Sequence, residues 1–188
     1  MRIRNVLQSL ILLILTTMSI ASLAKDLCKV APEFSLRNQE GTFVGLNDLL
    51  IDSNGKLIVL SIFQTTCVPC VEEIKYLQRL KKDEVNKING RFKIVLIDSN
   101  EDRKTTREFL LKNNFIEELV LNDPFGKLDK IYQLITIPKL IIIDAKKNII
   151  FSKEGAELSK LRLSDELRKL FLDPKSASDC ATASILKN

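Results

Sequence analysis

The sequence predicts an α/β fold, a single domain with a central mixed β-sheet flanked by helices. Continuous apolar runs at 57–63, 92–97 and 140–143 are typical of strands that are buried on both faces. Segments with helical spacing of apolar residues lie between these runs, as expected when parallel strands are joined by helices. At 188 residues and 45% hydrophobic composition, the chain can bury one core but is too short for two full-sized domains.

The first half of the predicted domain starts with a β-hairpin, because two short apolar strands flank a turn from Asn38 to Gly41. A buried strand then leads into a long helix, in which Val71, Ile74 and Leu77 recur at helical spacing. The predicted elements are strands at 34–36 and 42–44, a helical turn at 46–50, a strand at 57–63, a helix from about 67 to 82 and a strand at 92–97.

The second half alternates in the same way and ends in a β-hairpin and a helix. Phe109 and Leu110 mark the inward face of one helix, and a polar stretch from Asp144 to Asn148 separates two apolar strands. The predicted elements are a helix at 103–113, a strand at 118–121, a turn at 122–126, a helix from about 127 to 133, strands at 140–143 and 149–151, and a helix near 158–172. Residues 173–188 are rich in Ser and Ala and are predicted to form a flexible tail.

The chain contains no histidine and four cysteines, Cys28, Cys67, Cys70 and Cys180. The absence of histidine excludes Ser-His-Asp and Cys-His catalytic sites and histidine-ligated metal centres. Proton transfer must then depend on a carboxylate, a lysine, a tyrosine or a cysteine. We therefore expect thiol chemistry without a bound metal or other cofactor.

The net charge of +5 does not indicate a nucleic-acid partner. Two of the 29 basic residues, Arg2 and Arg4, precede an apolar segment, which leaves 27 basic and 24 acidic residues in the rest of the chain. Basic and acidic residues are interspersed there, as at 81–84 and 102–104, which is typical of an ordinary solvated surface.

Residues 1–24 have the pattern of a secretory signal peptide, with a basic start, an apolar stretch at 10–20 and small residues before a cleavage point after Ala24. An uncleaved membrane anchor is the alternative, since the 19 residues at 6–24 are uncharged. Either interpretation places the following domain, residues 25–172, outside the cytoplasm. The periplasm or the outer face of a membrane is expected, where disulfides persist.

Cys67 and Cys70 form a Cys-x-x-Cys motif at the point where a buried strand ends and a helix begins. The free N–H groups and the dipole of a helix N-terminus stabilise a thiolate at the first cysteine. That thiolate is the nucleophile of thiol–disulfide exchange. Cys70 lies one turn later and is expected to be more buried and to resolve the mixed disulfide. Pro69 fits the first helical turn, where its missing N–H costs nothing.

Three other interpretations of the motif remain open. Half of a zinc site is disfavoured because the chain has no histidine and the other cysteines lie near its ends. Copper carriers place a Cu(I)-binding motif in a different local sequence, and a structural disulfide with so short a loop constrains the unfolded chain little. A second signal favours redox chemistry: Ile137-Pro138 precedes an apolar strand, where a cis peptide bond would place a backbone edge beside the cysteines.

Together these motifs resemble the exported thiol–disulfide oxidoreductases of the TlpA/ResA type, which have a thioredoxin-like fold and fall within the AhpC/TSA–Redoxin superfamily. The resemblance covers about residues 31–171 and rests on the opening segment 31–36, the strand and motif at 57–70, and the loops at 122–124 and 136–138. It implies a thioredoxin-like central mixed β-sheet flanked by helices, with an N-terminal β-hairpin extension.

Catalytic roles follow from this resemblance. It implies that Cys67 attacks a partner disulfide, that Cys70 releases the product, and that Glu101, in the loop after the third strand, lies near the thiols and tunes proton transfer. One departure concerns this proton transfer, because cytoplasmic thioredoxins have a buried aspartate in the catalytic strand where this chain has Ser61. Proton removal from Cys70 is therefore left to Glu101 or to water.

The resemblance also implies a partner-binding surface. Ile137 and Pro138 are expected to hold an extended segment of the partner through backbone contacts, and Thr66 and Pro69 border the nucleophile. Tryptophan is usual at the position of Thr66, so the surface around the nucleophile is expected to differ from that of the family. The expected partners are thiols and disulfides of periplasmic client proteins and a membrane electron donor, and cytochrome c maturation is one client pathway that the resemblance suggests.

Two other functions are weighed against this one. Peroxiredoxins of the same superfamily have a proline and a Thr or Ser ahead of the reactive cysteine, whereas this chain has Gln64 three residues before Cys67 and no proline from Lys56 to Cys67. A non-catalytic module that binds Cu(I) or senses redox state is the alternative from another class. Because the motif lacks the histidine of strongly oxidising DsbA-like proteins, we expect the protein to act as a reductant or to have an intermediate reduction potential.

Cys28 and Cys180 lie near the two ends of the mature chain, with 151 residues between them. The expected arrangement is a structural disulfide, which would stabilise the fold by about 5 kcal/mol in the loop-entropy model. Two free thiols, an intermolecular disulfide and a relay of electrons to Cys67 and Cys70 are the alternatives.

Overall fold

The computed structural model describes residues 29–83, 87–155 and 161–173. Within these residues the elements, in chain order, are β1 (Ser35–Asn38), β2 (Phe43–Gly45), α1 (Leu46–Ser53), β3 (Leu57–Phe63), α2 (Val68–Lys81), β4 (Phe92–Ser99), α3 (Arg103–Asn113), β5 (Leu119–Asp123), α4 (Lys127–Ile131), β6 (Lys139–Ile143), β7 (Ile149–Glu154) and α5 (Leu161–Leu172).

One sheet contains all seven strands named above, in the order β2-β1-β5-β4-β3-β6-β7. The central strands β3, β4 and β5 are parallel to one another, whereas the pairs β3–β6, β6–β7, β5–β1 and β1–β2 are antiparallel. This arrangement confirms the predicted α/β fold with a central mixed sheet. Leu36 pairs with Val44 across β1 and β2, which confirms the predicted N-terminal hairpin.

Two apolar cores lie on the two faces of the sheet, because successive side chains of a strand point to opposite faces. On one face, Val59 and Phe63 of β3 join side chains of α2, α3 and α5. On the other face, Ile58 and Leu60 join side chains of α1 and α4. Every residue of β3 is buried, which explains why this strand is apolar throughout rather than alternating.

The strand at 57–63 and the helix at 103–113 have the predicted bounds, and the other elements differ by a few residues at their ends. The helix predicted from 127 to 133 ends at Ile131, because the backbone of Gln133 turns into the left-handed region with φ of 51°. The predicted strand at 149–151 continues to Glu154, where it still pairs with β6.

Some expectations fall outside the described residues. These are the signal segment 1–24, the start of the last helix near 158, the tail beyond Asp173, and the proposed pair of Cys28 and Cys180. Among the helices that the structure does describe, none combines the length and the apolar character needed to cross a membrane.

Candidate active site

The predicted site residues meet at one edge of the sheet. Parallel strands end at the same edge, so the loops that follow β3, β4 and β5 lie side by side. The antiparallel strand β6 starts at this edge, since Lys139 pairs with Ile62 near the end of β3. The topology therefore brings the Cys67 loop, the Glu101 loop and the Pro138 loop together, although 70 residues lie between Cys67 and Pro138 in the chain.

Cys67 and Cys70 form a disulfide at the start of α2, with their Cα atoms 5.3 Å apart. Cys67 is the N-cap residue, and its Sγ accepts a hydrogen bond of 3.2 Å from the backbone N–H of Cys70. Pro69 lies in the first turn of the helix, as predicted. Cys67 is partly exposed whereas Cys70 is 0% exposed, so Cys67 is the sulfur that an incoming thiolate or disulfide can reach.

The start of α2 also favours negative charge on the Cys67 sulfur once the disulfide is reduced. The first turn contains no acidic residue, and the basic residues Arg79 and Lys81 lie in the last turn. The N–H of Cys70 is already directed at the sulfur, as a thiolate requires. Local geometry therefore supports the order of attack that the sequence predicts.

Glu73 is a functional candidate that the sequence reasoning missed. Its side chain lies on the buried face of α2, three residues after Cys70, and is 2% exposed. The hydroxyl of Ser61 on β3 donates a hydrogen bond of 2.7 Å to Glu73 Oε1. Burial raises the pKa of Glu73 to about 7, and the hydrogen bond from Ser61 offsets part of that rise.

Glu73 lies beside Ser61, the position at which cytoplasmic thioredoxins have a buried aspartate. A carboxyl group with a pKa near neutrality can both accept and return a proton at physiological pH. Here that group comes from the helix, and the strand contributes the hydroxyl that holds it. The sequence carried a signal for it, because Glu73 is a charged residue in a helical stripe whose other members are Cys70, Ile74 and Leu77.

Glu101 lies at the same edge, and its carboxylate is bound to the loop that leads to Cys67. The backbone N–H and the hydroxyl of Thr65 donate hydrogen bonds of 2.9 and 2.7 Å to its two oxygens. These contacts bind Glu101 to Thr65, which lies two positions before the nucleophile Cys67 in the chain. Its predicted part in proton transfer stays a prediction.

Asp98 at the end of β4 lies beside Glu101 and is buried. Asp98 Oδ2 accepts hydrogen bonds from Thr106 and from Asn122, whereas Oδ1 has no donor among the described residues. Burial raises the pKa of Asp98 to about 7, the Glu101 carboxyl contributes to that rise, and the bonds from Thr106 and Asn122 oppose it. Asp98 therefore keeps its proton to a higher pH than an ordinary aspartate does.

The peptide bond between Ile137 and Pro138 is cis, as the sequence predicts. Pro138 is buried, and Ile137 packs against the core that contains Cys70. The neighbouring surface is apolar and open to solvent, with Val68 74% and Ile135 88% exposed. Thr66 and Pro69 are exposed at the same edge, so a partner can approach Cys67 over these side chains.

Three comparisons with known proteins agree on one group. A model of the AhpC/TSA family matches residues 28–152. The thiol-disulfide oxidoreductase ResA of Bacillus thuringiensis subsp. konkukian is 28% identical over 145 residues, which are 77% of this chain and 79% of that protein.

A thiol-disulfide oxidoreductase from Bacteroides fragilis has a TM-score of 0.61 and 25% identity, covering 76% of this chain and 99% of that one. A structure from Chlorobium tepidum, described as a thiol:disulfide interchange protein DsbE, has a TM-score of 0.63 and 20% identity, covering 80% and 96%. The fold, the disulfide at the helix start and the family match agree. The chain therefore belongs to the AhpC/TSA family, as a thiol:disulfide oxidoreductase with a thioredoxin-like fold.

Proposed function

We propose that this oxidoreductase reduces disulfides of partner proteins outside the cytoplasm, with Cys67 as the nucleophile and Cys70 as the resolving thiol. The observation that carries the proposal is the unequal exposure of the two sulfurs at the start of α2, with Cys67 partly exposed and Cys70 buried. The signal-like segment at 1–24 supports the location, and the absence of histidine from the motif supports the direction.

The proposed reaction has two steps. The Cys67 thiolate attacks one sulfur of the partner disulfide, which forms a mixed disulfide and releases the other partner sulfur as a thiolate that takes up a proton. Cys70 then loses its proton and attacks Cys67, which releases the second partner thiolate and closes the Cys67–Cys70 disulfide. Two electrons pass to the partner, and a second dithiol must reduce the protein again.

Glu73 is the proposed acceptor of the Cys70 proton. It lies on the same buried helical face as Cys70 and has a raised pKa. Because its pKa is about 7, the Glu73 carboxyl group can take up that proton as the disulfide forms and release it again at physiological pH. Glu101 is proposed to hold the Thr65 loop in place while this occurs.

Replacing Cys70 by Ser tests the order of the two steps. The reduced variant can form the mixed disulfide but cannot resolve it, so we expect a covalent complex with a disulfide-bearing protein on non-reducing gels. The matched control is Cys67→Ser, which leaves only the buried thiol and is expected to trap nothing. Equal trapping by both variants would contradict the assignment of Cys67 as the attacking cysteine. Peroxide consumption by the wild type would favour a peroxidase instead.

A further inference from the structure

Lys139 is a buried cation directly after the cis proline. It is the first residue of β6, and its side chain is 8% exposed. Burying an ammonium group costs free energy unless the group is paired and hydrogen-bonded. The groups that bind Lys139 are therefore held close to it. The partner carboxylate belongs to Glu154, which lies directly opposite on β7 and is 21% exposed.

The contacts of this ion pair reach both ends of the loop between α4 and β6. Lys139 Nζ donates to Glu154 Oε1 at 2.6 Å and to the backbone carbonyl of Tyr132 at 2.8 Å. Glu154 Oε1 also accepts a hydrogen bond of 3.3 Å from the backbone N–H of Ile135. A backbone bond of 2.8 Å from Gly155 N–H to the Pro138 carbonyl completes the connection to the end of β7.

In the middle of this loop only Leu134 packs against an apolar core. Gln133, Ile135 and Thr136 are all exposed, and Gln133 has a left-handed backbone with φ of 51°. Left-handed backbone is unfavourable for a residue with a Cβ atom, so the turn after α4 needs other contacts to keep it formed. The carbonyl just before this turn, that of Tyr132, is the one that Lys139 binds.

We propose that Lys139 and Glu154 are positioning residues for the docking of polypeptide substrates. They hold the backbone at 135–137 so that an extended segment beside the partner disulfide can bind along it, next to Cys67. This inference rests on the proposed function, because it takes the Pro138 loop as the place where partners bind. Neither side chain is assigned a part in the thiol chemistry itself.

The experiment compares a large and a small disulfide as substrates of the pre-reduced full-length protein. Hydroxyethyl disulfide needs only access to Cys67, whereas a synthetic polypeptide with one internal disulfide also needs the backbone edge of the loop. In each reaction the protein dithiol becomes a disulfide as the substrate disulfide becomes two thiols. The variants are Lys139→Met, Glu154→Gln, the double variant and Lys139→Arg, which retains donors for both acceptors.

For Lys139→Met we expect the KM for the polypeptide to rise about tenfold, while its limiting rate and the rate with hydroxyethyl disulfide stay within about twofold of wild type. Lys139→Arg should restore most of the affinity. Glu154→Gln leaves the buried Lys139 charge without its carboxylate partner. The double variant contains neither charge, so it provides the same comparison as Lys139→Met if that single variant does not fold. The backbone N–H of Ile135 should exchange faster with solvent in Lys139→Met, because its acceptor, the Glu154 carboxylate, is no longer held by Lys139.

Lys93→Met is the matched control. Lys93 also pairs a strand residue with a carboxylate, Asp52, at 2.7 Å, but it lies at the opposite end of the sheet from Cys67. This variant should leave both substrates unaffected. Equal loss with both substrates in Lys139→Met, no change with either, or the same rise in KM in Lys93→Met would overturn the inference. If the wild type reduces hydroxyethyl disulfide but not the polypeptide, the proposed function fails, and the inference fails with it.

Discussion

Two buried carboxyl groups near the active edge, the edge of the sheet where the Cys67, Glu101 and Pro138 loops meet, have pKa values near neutrality for the same physical reason. Burial removes water from Glu73 and from Asp98, which disfavours their charged forms. Their neighbours then separate their roles. Glu73 shares a helical face with Cys70 and is held by Ser61, whereas Asp98 faces Glu101, which is bound to Thr65.

Replacing Glu73 by Gln should slow resolution of the mixed disulfide by about a hundredfold at pH 8, the size of effect expected when a general base is removed. Glutamine still accepts the bond from Ser61, so the fold is retained. Because Glu73 is protonated below its pKa of about 7, the rates of wild type and variant should converge toward pH 5 and separate as the pH rises. Stopped-flow release of the trapped partner measures this.

Glu72→Gln is the control for that prediction. It removes an exposed carboxylate from the neighbouring position of the same helix. Its pH profile should match that of the wild type. Equal slowing in both variants would show that the charge of the helix, and not the buried position of Glu73, matters.

At the scale of elements, the active edge is built from loops that end in capped helices. Cys67 caps α2, and Asp102 caps α3 by accepting hydrogen bonds from the N–H groups of Lys104 and Thr105. The carboxylate of Asp123 accepts bonds from Lys127 and from the residue that follows it at the start of α4. Such caps satisfy N–H groups that a helix leaves free, so the loops around the disulfide are tied to rigid elements.

Gly126 tests how closely this edge is packed. It is the N-cap of α4 with φ of 57°, and an added Cβ atom would lie 2.7 Å from Asp129 Oδ2 and 2.8 Å from Asn100 Oδ1. We expect Gly126→Ala to lower the free energy of unfolding by about 2 kcal/mol, from left-handed strain plus displaced side chains. Urea denaturation provides the value.

Gly90→Ala is its matched control, because Gly90 also has a positive φ, 73°, but has open space where the Cβ atom would be. This change should cost only the backbone term, about 1 kcal/mol. If Gly90→Ala lowers the free energy of unfolding as much as Gly126→Ala does, the close packing around Gly126 contributes nothing to the effect of that substitution.

At the scale of the whole molecule, the two apolar cores must stabilise a fold that also buries ionisable groups. The folded pKa is about 7 for both Glu73 and Asp98, well above the ordinary values of 4.5 and 3.8. The folded state therefore binds more protons than the unfolded state between about pH 4 and pH 7. The pKa values of Asp52 and Asp102 are lowered instead, so these groups change stability in the opposite direction. They do so only in more acidic solutions.

The oxidised protein should consequently lose stability as the pH rises from 5 to 7 and should then level off. Glu73 alone accounts for up to roughly 3 kcal/mol of this loss, at about 1.4 kcal/mol for each pKa unit. Urea unfolding at pH 5 and pH 8 checks the sign, and Glu73→Gln should remove much of the difference. A stability that rises across this range in the wild type would contradict the burial of these carboxyl groups.

The sequence alone was enough for the order of the elements and for the reactive pair. Continuous apolar runs predict buried strands because both faces of a central strand are covered, and β3 has the predicted bounds. The motif at Cys67 and the proline at 138 were equally visible, since their chemistry depends on local spacing. Local patterns of this kind need no knowledge of what lies across the sheet.

Only the tertiary structure decided which polar side chains meet. Sequence reasoning considered Glu101 and water as acceptors for the Cys70 proton, and it missed Glu73, because an acidic residue in a helix is normally exposed. The contact of Ser61 with Glu73, and that of Lys139 with Glu154, join separate elements whose packing creates them. Burial, which sets the pKa of Glu73 and the role of Lys139, is a property of that packing and not of the neighbouring residues in the chain.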